Sequence, residues 1–314
     1  APSIAIRFSG TAKRLDAQGS LEGGQVKIAA LDPAALRSAA RSASGTPVGP
    51  LLEKLSEGLA ALQQDNRFRS RFALGKDGAQ SKLSVTALEL AGARDARVAL
   101  GDGGRIDVLL PDGRWVLDGG ITTGGGGLPE MALRLNPAAG GGVSGQMFMK
   151  DYVAGRAGGR ARLALEPVRF STDAKGITRI ATRLRLDGPM GDGALRGLEM
   201  PLAAQFSGAG LTVNSGCAPV SLEALQVGAV HLAATRLRAC AVDGGMLTLR
   251  NGRMGGGVRV ADVRLGGRMG DAPMRLNAKA AQYRLAGGFE LSDADLRFGP
   301  PDASVLLAAK RLDG

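Results

Sequence analysis

The chain has 314 residues, a formal charge of +11 and 49 glycines, with 44% apolar and only 4% aromatic residues. That apolar content is too high for a disordered chain, and glycine without a Gly-X-Y period excludes collagen. No run of about 18 apolar residues occurs, so no bilayer-spanning helix is expected.

The basic residues are mostly Arg, scattered at alternate positions rather than clustered. With two Tyr, one Trp and eight Phe, little is present to stack nucleic-acid bases, and no nucleic-acid partner is expected. The abundant glycine suits a fold with many tight turns, where φ > 0 is nearly free only for Gly. Ala1 opens neither an initiator Met nor a signal sequence. The chain therefore reads as an excised piece of something longer.

In chain order, SIAIRF puts Ile4, Ile6 and Phe8 on one side and predicts a half-buried strand. The apolar patch QVKIAAL follows. Asp32 and Pro33 form an N-cap and first helical position, opening a helix through PAALRSAARSA that SGTPVGP breaks. A second helix runs through PLLEKLSEGLAALQQ, where Leu51, Leu55, Leu59 and Leu62, joined by Leu52, make one apolar stripe. Its polar face is not especially basic, so a helix packed over an apolar sheet face outweighs one lying on a membrane.

From Phe68 onward, segments of period two follow one another. Met131, Leu133 and Leu135 share a side, then Met147 and Met149, then Leu163 and Leu165. Ile180, Leu184 and Leu186 face away from Arg179, Arg183 and Arg185. Leu247 and Leu249 continue the alternation, then Val258, Val260, Val263 and Leu265, then Met274 and Leu276. Gly-, Pro- and Asp-rich stretches separate them. The expectation is an all-β, mainly antiparallel fold of many short strands, with a helical insertion over 32–65 and a β-meander over 68–314. The segments RLDGPMGDG (185–193) and RLGGRMGDA (264–272) are nearly identical. Each reads as a strand end plus turn, marking equivalent corners rather than two active sites.

No catalytic constellation is visible. The single histidine, His231, alternates with Val230 and Leu232 on a solvated face, and one His makes no multi-histidine metal site. GDGALRG is misspaced for a dinucleotide loop, and nothing matches a P-loop. GDGGRIDV is one copy of a calcium-type repeat, not an array. Asp187, Asp192 and Asp271 fall in predicted turns, where Asp is expected for its backbone hydrogen bonds. Neither an enzyme nor a metal or other cofactor is expected. A polysaccharide enzyme of the β-helix type would need a carboxylate ladder that is absent. Cys217 and Cys240 lie on probable neighbouring strands that could bring them within bonding reach. An oxidising compartment favours a bridge; two free buried thiols are the alternative.

The ordered run of GGLPEMALRLNPAAGGGVSGQMFMKDYVAGRAGGRARLALEPVRF, TRLRLDGPMGDGALRGLEMPLAAQFSGAG and VNSGCAPVSLEALQVGAVHLAATRLRACAVDGG resembles YdbH-family proteins of alphaproteobacteria. These are AsmA-like relatives of TamB and YhdP. The resemblance covers roughly Leu128 to Gly314. It implies a periplasmic protein anchored in the inner membrane by a helix outside this segment. It also implies an elongated, curved, taco-like β-sheet whose groove carries phospholipid toward the outer membrane, supporting outer-membrane homeostasis. A small outer-membrane lipoprotein is the implied partner. On that reading the alternating apolar residues above line the groove, and the Leu51–Leu62 stripe covers its end or mouth. Membrane contact would pass through regions outside this segment. Few aromatics with many Ala and scattered Met suit a lining for mobile acyl chains better than a tightly packed sandwich. A β-solenoid scaffold that binds envelope proteins and moves no lipid is the competing expectation.

Overall fold

The computed structural model describes residues 3–11, 14–24, 32–101, 103–111, 113–138, 142–250, 253–300 and 302–314. The patch QVKIAAL lies outside the described residues. The fold is all-β and mainly antiparallel, with a small helical insertion. The chain divides into two compact units, residues 1–42 with 51–152 and residues 43–50 with 153–314.

In the first unit, β1 (Ser3–Gly10), β2 (Arg14–Gly24), β3 (Arg67–Asp77) and β4 (Gln80–Ala91) pair antiparallel in sequence order. One end of β4 pairs with β5 (Arg97–Leu100) and the other with β6 (Arg105–Leu110). β6 continues to β7 (Arg114–Asp118). β5 continues through β8 (Ile121–Gly124) and β9 (Met131–Ala138) to β10 (Gly142–Met149). β1 corrects one expectation. It is a strand with the predicted alternation, but among the described residues it pairs only with β2 and all eight positions are exposed. Alternation assigns a side; it does not guarantee a cover.

The helices are α1 (Pro33–Ser42) and α2 (Val48–Gln63). Asp32 caps α1, its Oδ1 accepting from the Ala34 N–H at 2.8 Å. SGTPVGP does not end as a loop at Pro50, because α2 already starts at Val48. Pro50 sits in the first turn, where its missing N–H costs no helical hydrogen bond. On α2, Ala61 and Leu62 form a buried cluster with Ala96 and Leu128, against which Leu55, Leu59, Leu90 and Val98 pack. The helix approaches so closely that a Cβ on Gly58 would lie 2.6 Å from the Leu128 backbone N. Ser56, fully buried, donates to the Pro33 carbonyl at 2.8 Å and ties α2 to α1.

A three-residue strand, β11 (Tyr152–Ala154), follows. In the second unit, β12 (Ala161–Leu165) and β13 (Val168–Thr172) both pair with β14 (Thr178–Met190), and β14 pairs with β15 (Gly193–Ser207). The far side of β15 is shared by β16 (Gly210–Val213), β17 (Cys217–Leu222) and β18 (Ala224–Val227). β18 pairs with β19 (Val230–Leu232), β17 with β20 (Thr235–Val242), and β16 with β21 (Leu247–Arg250), which meets β22 (Arg253–Gly255). β19 and β20 both pair with β23 (Gly257–Met269). The series closes with β24 (Ala272–Arg284), β25 (Gly288–Phe298) and β26 (Val305–Asp313).

The two similar nonapeptides are equivalent hairpins. Met190 faces Gly193 across Gly191–Asp192, and Met269 faces Ala272 across Gly270–Asp271. Each two-residue loop opens on a glycine at positive φ, 62° at Gly191 and 57° at Gly270, as a hairpin with glycine first requires. Asp192 and Asp271 lie in these turns. Asp187 does not: it is a strand residue at the register shift of β14, and its Oδ1 accepts from the Gly197 N–H at 2.6 Å.

Candidate functional site: an uncovered apolar face

Cross-strand partners share a sheet face, so the register assembles the face residue by residue. In the first unit, Met131, Leu133 and Leu135 face Met149, Met147 and Gly145. Leu133 also faces Ile121, which faces Leu100. All five predicted residues are half-buried. Of the helical stripe, Leu51 and Leu62 are buried, while Leu55 and Leu59 are partly buried against the α2 cluster.

In the second unit, Leu163 and Leu165 face Leu186 and Leu184, which in turn face Leu198 and Met200. Ile180 sits between Phe170 and Ala204. Leu247 faces Val213, and Leu249 faces Leu211. Val258 and Val260 lie between Ala241 and Ala239 on one side and Tyr283 and Ala281 on the other. Val263 and Leu265 face Ala278 and Leu276, and Met274 faces Phe298. Val263 and Met274 are buried, Leu249 is exposed, and the remainder are half-buried.

Sequence reasoning missed further members of this face. Phe206, Leu211 and Met254 join the predicted Leu249 in one transverse row across four strands. Phe206 is 56% exposed and Met254 64%. The alternation of Leu198, Met200, Leu202 and Phe206 in GLEMPLAAQF was the available signal.

Among the described residues most of the second unit's face is half-buried or exposed, with Val263 and Met274 among the buried exceptions. The largest side chains below 2% exposure are Leu62, Asn66 and Ser56, all near α2 in the first unit.

One row changes the alternation. Asp262 of β23, Lys279 of β24, Asp293 of β25 and Lys310 of β26 lie level, between flanking bridged pairs. Asp262 and Asp293 have φ of 50° and 43°, and Lys279 Nζ lies 3.9 Å from Asp293 Oδ2. All four are exposed. On β23 the apolar step lengthens to three across Asp262, from Val260 to Val263, and on β25 it does so across Asp293, from Leu291 to Ala294. Each strand thereby spends one additional residue on the polar side, and the following apolar residues return to the apolar face.

The opposite face is polar and richly paired. Arg185 meets Glu199 at 2.9 Å and Glu223 at 2.7 Å, and Arg183 meets Glu166 at 3.4 Å. In the first unit, burial alone would raise the Asp107 carboxyl. The Ser84 hydroxyl at 2.6 Å, Lys82 at 2.9 Å and Arg105 at 3.1 Å outweigh it and hold the carboxyl below the usual aspartate range. Glu130 is lowered by its hydrogen bond from Lys150. This pair borders an open cleft of about 850 Å³ with Arg97, Gly124 and Phe148. Burial, then the Glu57 charge, pushes the Tyr152 phenol upward; its hydroxyl donates to the Gly127 carbonyl at 2.7 Å.

Cys217 and Cys240 are directly opposed on β17 and β20 and joined by a disulfide, with Cα atoms 3.8 Å apart. The bridge stands on the polar face, beside Pro219, Ser221, Arg236 and Arg238. His231 is exposed on β19. Among the described residues no three acidic, His or Cys side chains converge as metal ligands, and every buried side-chain polar atom has a hydrogen-bond partner. No helix of the described residues is long and apolar enough to cross a membrane. Comparison with protein-family models, with curated proteins and with solved structures gives no match.

Proposed function

We propose that the chain is a non-catalytic, lipid-carrying segment of a YdbH-like, AsmA-related protein. Phospholipid acyl chains lie against the apolar face, on a route between the inner and outer membranes. The observation that carries this reading is the second unit's face: cross-strand rows of Leu, Ile, Val, Met and Phe that stay mostly half-buried or exposed, with Phe206 and Met254 more than half exposed. Exposed apolar faces beyond a few hundred Å² are uncommon on soluble monomers without an interaction to serve. Sheltering an acyl chain of about 16 carbons takes about 12 kcal/mol along its path, at about 0.8 kcal/mol per methylene. Rows that run from strand to strand supply such shelter; isolated apolar spots do not.

On this reading the full-length protein sits in the periplasm with an inner-membrane anchor outside this segment, and a small outer-membrane lipoprotein is its partner. α2 shields one part of the first unit's apolar face. The Cys217–Cys240 disulfide is consistent with an oxidising compartment.

The test is native mass spectrometry of the segment purified from the periplasm, with extraction of bound lipid. Co-purifying phospholipid is expected. It should be lost when the directly opposed Leu165 and Leu184 are both changed to Asp, in a variant that keeps its β-rich circular dichroism. A folded, lipid-free wild-type protein overturns the reading and favours the scaffold.

A further inference from the structure

Some arginines on the second unit's polar face meet a carboxylate among the described residues and others, Arg169, Arg264 and Arg275 included, do not. Arg179, Arg183, Arg185, Arg284 and Arg311 each meet a carboxylate, at 3.3, 3.4, 2.7, 3.2 and 3.3 Å. Arg236, Arg238 and Arg259 meet none among the described residues, and all three are exposed.

These three stand together. Arg236 and Arg238 alternate with Cys240 along β20, on the side that carries the disulfide. Arg259 of β23 is the direct partner of Cys240. Their other register partners are Ser221, Pro219 and Gln282. None of these direct partners carries a negative charge. Glu199 lies one strand further on, opposite Ser221, and is held by Arg185, and Asp262 of β23 makes no ion pair with the three among the described residues. Ser221 and Pro219 are also short, so the guanidinium groups stand clear of them. The Cys217–Cys240 bridge fixes β20 against β17 and holds the array in place.

We propose that this array docks the second unit onto an anionic phospholipid surface. Guanidinium forks match phosphate oxygens bidentately. Three unneutralised cations side by side on an exposed sheet face complement an extended layer of phosphates better than one enclosed anion. No aromatic side chain occurs among their register partners to stack nucleic-acid bases. The segment then makes its own bilayer contact, whatever occupies the apolar face.

Flotation with phosphatidylcholine vesicles, with and without phosphatidylglycerol, tests this. The wild-type protein should float with the anionic vesicles only, and rising salt should release it. The triple variant Arg236→Gln, Arg238→Gln and Arg259→Gln should lose roughly a hundredfold in partitioning. A charge-matched control, Arg169→Gln, Arg196→Gln and Arg264→Gln, should keep it. The proposal is overturned if the two variants lose binding equally, because net charge then suffices, or if neither loses it. It is also overturned if inorganic phosphate or a DNA duplex displaces both the wild type and the control from vesicles at an ionic strength at which sodium chloride does not, which would mark a site for free anions or nucleic acid. Native mass spectrometry of the patch variant should show undiminished bound lipid, so failure here stays distinct from failure of the lipid-carrying reading.

Discussion

Asp262 and Asp293 occupy the left-handed backbone region that disfavours β-branched side chains most. Asp262→Gly and Asp293→Gly should be tolerated, whereas Val at either position should cost about 1–2 kcal/mol, read by urea unfolding. The device was partly legible. Alternation found Val258, Val260, Val263 and Leu265, but the three-residue step across Asp262 was the sign that period two had been interrupted. Level placement with Lys279 and Lys310 depends on strand register, which period two alone does not state. Asp107 carries the pH dependence at this scale. Its folded carboxyl titrates below the ordinary value of about 3.9, so its contribution is full above that value and is lost as pH falls through the folded pKa. Ser84→Ala removes the 2.6 Å hydrogen bond and should shift acid unfolding to higher pH, followed by circular dichroism.

Among the elements, α2 was the most legible, because a leucine stripe at helical spacing has few other readings. Its start at Val48 was hidden by Gly and Pro residues that normally signal a break. The closeness of its packing was not visible either, since Gly58 looks like any helix glycine until the Leu128 backbone is placed against it. Gly58→Ala should therefore destabilise the protein by about 1–3 kcal/mol despite its higher helix propensity. A fall in melting temperature would report it. The disulfide joins β17 to β20 around a separation of 23 residues. Replacing both cysteines by Ser should cost about 3 kcal/mol on the chain-entropy account, with little change in secondary structure by circular dichroism.

Across the whole molecule, the all-β class and the antiparallel strand series followed from glycine content, turn spacing and alternation. What covers an apolar face did not follow, because a half-buried strand has the same sequence pattern in a sandwich and in a single layer. The strand-to-strand pairing of the second unit has a consequence for how the protein is assembled. Each strand there is held by hydrogen bonds to the strands beside it. Cooperativity is then short-ranged, and stability accrues by increments from neighbour to neighbour. Removing the terminal β25–β26 hairpin should leave amide-exchange protection of β14 and β15 intact, where a common core would lose it throughout. A protein built this way can lengthen or shorten by whole hairpins without redesigning what remains, so its reach can change by counting strands.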